Sequence, residues 1–290
     1  MKSVLITGIN GFVGKHLIEI FEKEYFVIGL DICEQSRSKK IKKYYQIDIT
    51  NKSQLFQITD DIDFIVHLSA LTNPNIEKEK LYKVNVEGVK NICEFAKIKN
   101  IKKIIYLSSV SVYSEVCGKI ITEETKTKPI NYYGETKLAA EEVIKNSGLI
   151  YTILRPTNIF GEGREDYKKY FERIKVRGKR LGIIFYRNRN THLLYVKDVR
   201  DVIEFCLENE QTNNEIYIVA DAEEKFNEKE IFKILLEYYG LKKILLPYPL
   251  FWEKVDKRIF SAKKLNKIFT FRYGIAQGIF NTLRYFDKKI

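Results

Sequence analysis

A chain of 290 residues, 45% apolar and 30% charged, can bury a substantial core and carries no low-complexity tract, which excludes a disordered polypeptide. Its net charge of +12 favours phosphorylated ligands, yet the lysine pairs at 39–40, 42–43, 102–103, 242–243 and 263–264 are spread along the chain, so no nucleic-acid partner is expected. With no bilayer-length apolar run, no signal-type cleavage site, and neither the four cysteines (Cys33, Cys93, Cys117, Cys206) nor the three histidines at metal-ligand spacing, the expectation is a cytoplasmic protein with reduced thiols, no membrane partner and no metal.

Apolar runs of strand length alternate with segments of helical period through the first half. Val4–Thr7, Tyr25–Asp31, Tyr44–Asp48, Phe64–Leu68, Ile104–Ser108 and Ile150–Leu154 read as strands. Helices are expected near 12–23, 51–58, 77–98, 134–146 and 165–177. This rhythm predicts an α/β fold: a Rossmann-type, doubly wound parallel sheet with helices on both faces. Beyond residue 156 the rhythm loosens into a helix at 197–208, a strand at Glu215–Ala220, and helices at 228–239, 259–268 and 274–287. The expected organisation is a nucleotide-binding domain over 1–160, joined by 191–220, and a smaller mixed C-terminal substrate lobe over 161–290. No internal repeat is visible.

The first strand runs into the first helix through "TGINGFVG", with three of the chain's fifteen glycines, Gly8, Gly11 and Gly14, at even spacing. A helix N-terminus offers unpaired N–H groups and a positive dipole end to a phosphate. Gly8 and Gly11 suit the turn and a close pyrophosphate approach, and Gly14 suits helix–strand packing. Asp31 ends the next strand, where its carboxylate can bind adenosine ribose hydroxyls and repel a 2′-phosphate. NAD is therefore expected over NADP, although Arg37 and Lys39 lie near enough to keep NADP open.

"INYYGETKLAAEEVI" places Tyr133 and Lys137 four apart on one helix face. An ammonium beside a phenol favours the phenolate and suits it to move a proton. "IIYLSSVSVYS" brings Ser108 and Ser109 to a strand end, where a hydroxyl can hydrogen-bond the reacting oxygen. His67 reads as a satisfied core histidine, His16 as a residue of the first helix, and His192 as structural. Aromatic packing is the first reading of Tyr248, Phe251 and Trp252.

Taken in order, these motifs resemble the extended short-chain dehydrogenases/reductases, the NAD-dependent epimerase/dehydratase family of nucleotide-sugar enzymes. The resemblance places Gly8, Gly11, Phe12, Val13 and Gly14 in a TGxxGxxG cofactor loop, and Asp31 at the ribose. Asp48 and Ile49 match the pair flanking the adenine, and Leu68, Ser69 and Ala70 the turn beside the cofactor. Asn85 matches a central-helix Asn that supports the site. Ser109, Tyr133 and Lys137 match the catalytic Ser/Thr and YxxxK. "LRPTNIFGEG", with Arg155, Pro156 and Asn158, is similar to the loop between cofactor and sugar nucleotide, and Asp198 to the Asp of a VxD segment. The resemblance also implies a homodimer, with the C-terminal helices in a four-helix contact.

Relatives that dehydrate, decarboxylate or 3,5-epimerise carry an acid or a Cys just after the catalytic Ser/Thr; here those positions are Val110 and Ser111. The resemblance thus implies 4-epimerisation or 4-keto reduction of a nucleotide sugar, using Ser109, Tyr133, Lys137 and NAD. One departure stands out. The Arg that often clamps the diphosphate aligns with Thr191; Arg189, just upstream, is the substitute expected, with Arg258 as a second phosphate contact. That departure keeps open a same-fold enzyme acting on a non-nucleotide alcohol or ketone. A non-catalytic nucleotide-binding scaffold is the remaining alternative.

Overall fold

The structure, a computed structural model, describes residues 1–288 except 37, 74, 114–119, 181–182, 188–190, 222–225 and 248–257. In chain order its elements begin β1 (Ser3–Thr7), α1 (Phe12–Glu24), β2 (Phe26–Asp31), β3 (Lys43–Gln46), α2 (Lys52–Leu55) and β4 (Phe64–His67). Next come α3 (Lys78–Tyr82), a π-helical segment Lys83–Glu87, α4 (Gly88–Ile98), β5 (Lys103–Leu107), a 3-10 turn Val110–Val112, β6 (Ile120–Ile121) and α5 (Tyr132–Lys145). Then follow β7 (Tyr151–Pro156), β8 (Asn158–Phe160), α6 (Glu165–Arg180), β9 (Ile183–Tyr186), β10 (Leu193–Tyr195), α7 (Val196–Glu208) and β11 (Glu215–Val219). The chain closes with α8 (Glu228–Tyr238), β12 (Ile244–Pro247), β13 (Ile259–Phe260), α9 (Lys263–Asn266) and α10 (Gly274–Asp287).

These elements form two compact units. The first comprises Met1–Ser114, Thr125–Pro156 and Arg200–Ile218; the second comprises Glu115–Glu124, Thr157–Val199 and Val219–Ile290. The division differs from the expected one, because strand pairing far apart in sequence recruits segments to the second unit. β8 pairs with β10, and β6 pairs with β13, so residues 157–160, 191–199 and 115–124 all go there.

The first unit is built on a seven-stranded sheet ordered β11-β7-β5-β4-β1-β2-β3. From β1 the chain steps outward to β3, then returns to β4 on the other flank of β1, so Val4 pairs with both Val27 and Phe64 in parallel register. That reversal makes a crevice at the carboxyl ends of β1 and β4, where a doubly wound sheet binds its ligand. β1 and β4 are buried at every position, as a parallel sheet covered on both faces requires. The apolar faces of α4 (Val89, Ile92, Phe95) and α5 (Ala140, Ile144) complete one core with Ile104, Tyr106 and Ile153. At the start of β5 the buried Lys103 ammonium donates to Cys206 O (2.7 Å), Asn209 O (3.0 Å) and Thr212 Oγ1 (2.7 Å), tying off the carboxyl end of α7.

The second unit contains three two-stranded pairings, β10-β8, β12-β9 and β13-β6. Two carboxylates start its last helix. Asp198 accepts from the N–H groups of Arg272 (3.2 Å), Tyr273 (3.0 Å) and Gly274 (3.0 Å), and Asp221 from that of Ile275 (2.8 Å). Burial pushes the Asp198 carboxyl above its ordinary value. The helix expected over 259–268 is here a strand, β13, followed by the four-residue α9, and the helix expected over 51–58 is the single turn α2.

Candidate active site

The turn after β1 is shaped by close backbone approach. Gly8 has φ +69°, and a Cβ there would lie 2.9 Å from the N of Ser69, in the turn after β4. Thr7 draws those turns together: its Oγ1 accepts from the N–H groups of Leu68 and Ser69, both at 3.2 Å. Gly11 is the N-cap of α1, which has no side-chain cap and no acidic residue in its first turn, so nothing there competes with an anion. Phe12 stacks edge-on against His16, and Val13 is buried in the same turn. A Cβ at Gly14 would meet the carbonyl oxygens of Ile9 (2.5 Å) and Gly8 (2.8 Å), so this glycine lets the helix close on the turn that follows β1.

Asp31, at the end of β2, accepts from the N–H of Asn10 (3.0 Å) and that of Cys33 (3.3 Å), which fastens it to the glycine turn. Asp48 is exposed and accepts from the Thr50 N–H (2.9 Å), whereas the Ile49 side chain is 3% exposed and belongs to the core. Asn85 sits in the π-helical segment, a local geometry frequent at functional sites. Its amide bonds both backbone groups of Leu71 (2.8 and 2.9 Å) and the Thr136 hydroxyl (3.0 Å), and Thr136 in turn donates to the Tyr133 carbonyl. Asn85 thus ties the loop after β4 to the helix that carries Tyr133. A tight turn whose close backbone approach admits no side chain at Gly8 or Gly11, an uncapped helix and a strand-end carboxylate together fit an adenine dinucleotide.

Ser109, Tyr133 and Lys137 all belong to the first unit. Ser109 caps the 3-10 turn after β5, its Oγ accepting from the Ser111 N–H (3.1 Å) and donating to Ser111 Oγ (3.0 Å). Tyr133 is half-buried in the first turn of α5, whose N-cap Asn131 accepts from Gly134 N (2.9 Å). Lys137, one turn on, is buried; its ammonium donates to Leu107 O (2.8 Å) and lies 4.7 Å from the Tyr106 ring centre and 6.0 Å from that of Tyr133. Pro156 ends β7.

Beneath Lys137 runs a stack that sequence reasoning did not find. His67 and Tyr106, cross-strand neighbours on β4 and β5, stack at 5.8 Å, and His67 Nδ1 lies 2.8 Å from Thr7 Oγ1. The expected fully satisfied histidine is corrected in one respect: its Nε2 is buried with no hydrogen-bond partner, as is the Tyr106 hydroxyl. Burial, and then the Lys137 charge, push His67 down to about 3, so it is neutral at working pH.

Burial also pushes Lys137 from the ordinary lysine value of 10.5 down to about 7, against the pull of Glu141. A lysine that holds its proton less tightly when folded penalises the fold in full below about pH 7, and the penalty fades as pH climbs toward 10.5. The ligand-free protein should therefore gain stability across that window, with this group supplying at most about 1.4 kcal/mol per pH unit. Urea unfolding of wild type and Lys137→Met at several pH values checks this; parallel pH dependences would contradict it.

A second buried network lies beside Ser109. Ser108 Oγ donates to Glu141 Oε1; Arg155 donates through Nε to the same oxygen (3.0 Å) and through Nη2 to Oε2; Arg155 Nη1 donates to the Tyr113 hydroxyl. One signal for it was present in the sequence, since Glu141 follows Tyr133 and Lys137 at four-residue steps.

Of the expected substrate residues, Ser109 belongs to the first unit, and Asn158 and Arg258 to the second. Asn158, exposed on β8, donates from Nδ2 to Thr191 O (3.4 Å), and the Arg258 guanidinium stacks 5.4 Å from the Phe260 ring centre. His192 meets that same ring edge-on at 5.0 Å. Arg189, Arg37, Cys117, Tyr248, Phe251 and Trp252 fall outside the described residues.

The chain is 28% identical over 269 residues to N-acetyl-alpha-D-glucosaminyl-diphospho-ditrans,octacis-undecaprenol 4-epimerase of Escherichia coli O157:H7, covering 86% of this chain and 76% of that protein. It is 34% identical over 184 residues to a decarboxylating sterol-4-alpha-carboxylate 3-dehydrogenase of Candida albicans, over 56% of this chain and 52% of the other. Among solved structures, the Bordetella bronchiseptica enzyme WbmG in complex with NAD and UDP superposes with a TM-score of 0.82 at 19% identity, covering 99% of this chain and 95% of that one. The sequence model of the NAD dependent epimerase/dehydratase family matches residues 4–220, well over half of the molecule, and the chain belongs to that family.

Proposed function

We propose that this enzyme is an NAD-dependent 4-epimerase or 4-ketoreductase of a nucleotide sugar, with Tyr133 as its acid/base. The observation that supports the reading is the close packing of the turn that carries Ser109 on the helix that carries Tyr133 and Lys137: a Cβ at Gly134 would stand 2.2 Å from Ser111 O, and the Lys137 ammonium donates to Leu107 O (2.8 Å). The Escherichia coli relative is named as a 4-epimerase of an N-acetylglucosaminyl group joined through a diphosphate to undecaprenol, and WbmG was solved in complex with NAD and UDP. Gly8, Gly11, Phe12, Val13 and Gly14 would hold the pyrophosphate, Asp31 the ribose, Asp48 and Ile49 the adenine side, and Leu68, Ser69, Ala70, Asn85 and Pro156 the remainder. The nicotinamide, when bound, would accept a hydride and return it in an epimerase, or in its reduced form donate one in a ketoreductase. The Asp31 carboxylate favours NAD over NADP by repelling a 2′-phosphate.

Tyr133, as phenolate, takes the proton from the sugar hydroxyl and later returns it, while the Ser109 hydroxyl holds the same oxygen. Lys137 places a cation on the helix face of the phenol and favours the anionic oxygen. Val110 and Ser111 supply no further acid or base, which limits the chemistry to one carbon. Asn158, Arg189 and Arg258 are the proposed contacts to the sugar nucleotide. A cytoplasmic homodimer completes the proposal; among the described residues no helix is long and apolar enough to cross a membrane.

The sterol dehydrogenase supports a second reading, a non-nucleotide alcohol as substrate, but its match spans only about half of either chain. A thermal-shift panel of UDP-, GDP-, CDP- and TDP-sugars with NAD present, followed by assay of each hit, separates the two. The expected result is stabilisation by at least one nucleotide sugar and conversion at its C4. Stabilisation by a non-nucleotide ketone alone would overturn the substrate assignment.

A further inference from the structure

We propose that Glu141 and Arg155 are positioning residues that grip the Ser109 turn at both ends and lock it to the helix presenting Tyr133. The inference rests on the reading of Ser109 and Tyr133 as the pair that handles the sugar oxygen. Ser108 and Tyr113 are the residues immediately before and after the stretch formed by Ser109 and the 3-10 turn Val110–Val112. Glu141 receives the Ser108 hydroxyl, and Arg155 delivers one N–H to Tyr113 and two to Glu141. One ion pair therefore holds both flanks of the turn.

All four side chains are buried; Glu141 is 0% and Arg155 3% exposed. Burying such a pair is a poor route to stability, since apolar replacements of equal volume are often neutral or better. What the pair supplies is direction. The guanidinium is a rigid fork with donors at fixed angles, and here it joins two groups that a point charge would not orient. Glu141 accepts three hydrogen bonds and is closed to solvent, so it acts through Ser108 and Arg155 and does not meet substrate.

Its place on α5 explains the arrangement. Glu141 lies two helical steps beyond Tyr133 and one beyond Lys137, so the helix that aims the phenol also grips the serine turn. A third contact fixes the remaining freedom: Gly134 lets α5 approach so closely that a Cβ would stand 2.2 Å from Ser111 O. Ser108 N donates to Leu154 O (2.7 Å), which fastens the start of the turn to the strand that bears Arg155. The separation of hydroxyl and phenol is thereby set by buried contacts before any ligand arrives.

Tyr113→Phe removes one hydroxyl and keeps the ring, and Glu141→Gln keeps the shape and removes the charge. Each should lower kcat about tenfold or more while KM and NAD affinity stay within about twofold, because only geometry at the reacting oxygen is disturbed. In a Ser109→Ala background the loss from Tyr113→Phe should shrink below about twofold, since the clamp acts through that serine. Hydrogen exchange of the 109–113 amides should quicken in both single variants with no substrate present. Full loss in both backgrounds, an effect on KM alone, or unchanged exchange overturns the clamp. If the wild-type protein converts no nucleotide sugar, the functional reading falls, and the exchange measurement alone decides the clamp.

Discussion

Replacing Tyr133 by Phe should abolish turnover, with a loss of about 10²–10⁴-fold, while NAD still binds. The substitution keeps the ring in the first turn of α5, so the contacts of that turn survive: the Asn131 cap on Gly134 and the Thr136 bond to the residue 133 carbonyl. Only the oxygen that exchanges the proton is removed. Ser109 remains to hold the substrate oxygen, but a serine hydroxyl next to no strong base cannot take its proton. Steady-state kinetics with parallel NAD titration checks this. Turnover within tenfold of wild type would remove Tyr133 from the chemistry, and loss of NAD binding would move its role to the cofactor.

Gly134→Ala should be nearly as damaging to activity, and two opposing magnitudes decide the sign for stability. Alanine in a helix is favoured over glycine by about 1 kcal/mol at most. Against that stands a Cβ 2.2 Å from the Ser111 carbonyl oxygen and 2.9 Å from its carbon, both backbone atoms with little freedom to yield. Overpacking of this kind costs about 1–3 kcal/mol, so a modest net destabilisation is expected. The larger effect falls on the reaction. Whichever side moves, the helix or the turn, Ser109 and Tyr133 separate, and a displacement near 1 Å costs about 100-fold in kcat. Thermal unfolding and kcat measured on the same preparation test both parts; a variant with wild-type kcat would show that the close approach does not set the geometry.

How far the sequence revealed this molecule depends on how local each signal was. The glycine loop, Asp31 and the Tyr133–Lys137 spacing each lie within one element or one turn, where steric need and helical period speak directly. The alternating strands of the first unit were legible for the same reason. The Ser109 clamp was not, because Ser108, Tyr113, Glu141 and Arg155 meet only once β5 and β7 lie side by side. Its one local signal, the four-residue steps from Tyr133 through Lys137 to Glu141, went unread in the sequence. Asn85 was matched by motif, but nothing near it announced the π-helical segment that turns it toward Leu71 and Thr136. The segment 259–268 misled because Ile259 and Phe260 find partners in Ile120 and Ile121, well over a hundred positions away, and that pairing overrides a helical pattern.

The route of the backbone between the two units has a bearing on how such enzymes diversify. The polypeptide passes from one unit to the other at 114/115, 124/125, 156/157, 199/200 and 218/219. Neither unit is a continuous stretch, so a single cut and splice between relatives cannot exchange one whole and leave the other intact. Recombination at one breakpoint would mix halves of both. Change in such a lineage is therefore more readily reached by point changes and loop alterations within a unit than by shuffling a module, and an engineer building hybrids would have to place all five junctions together.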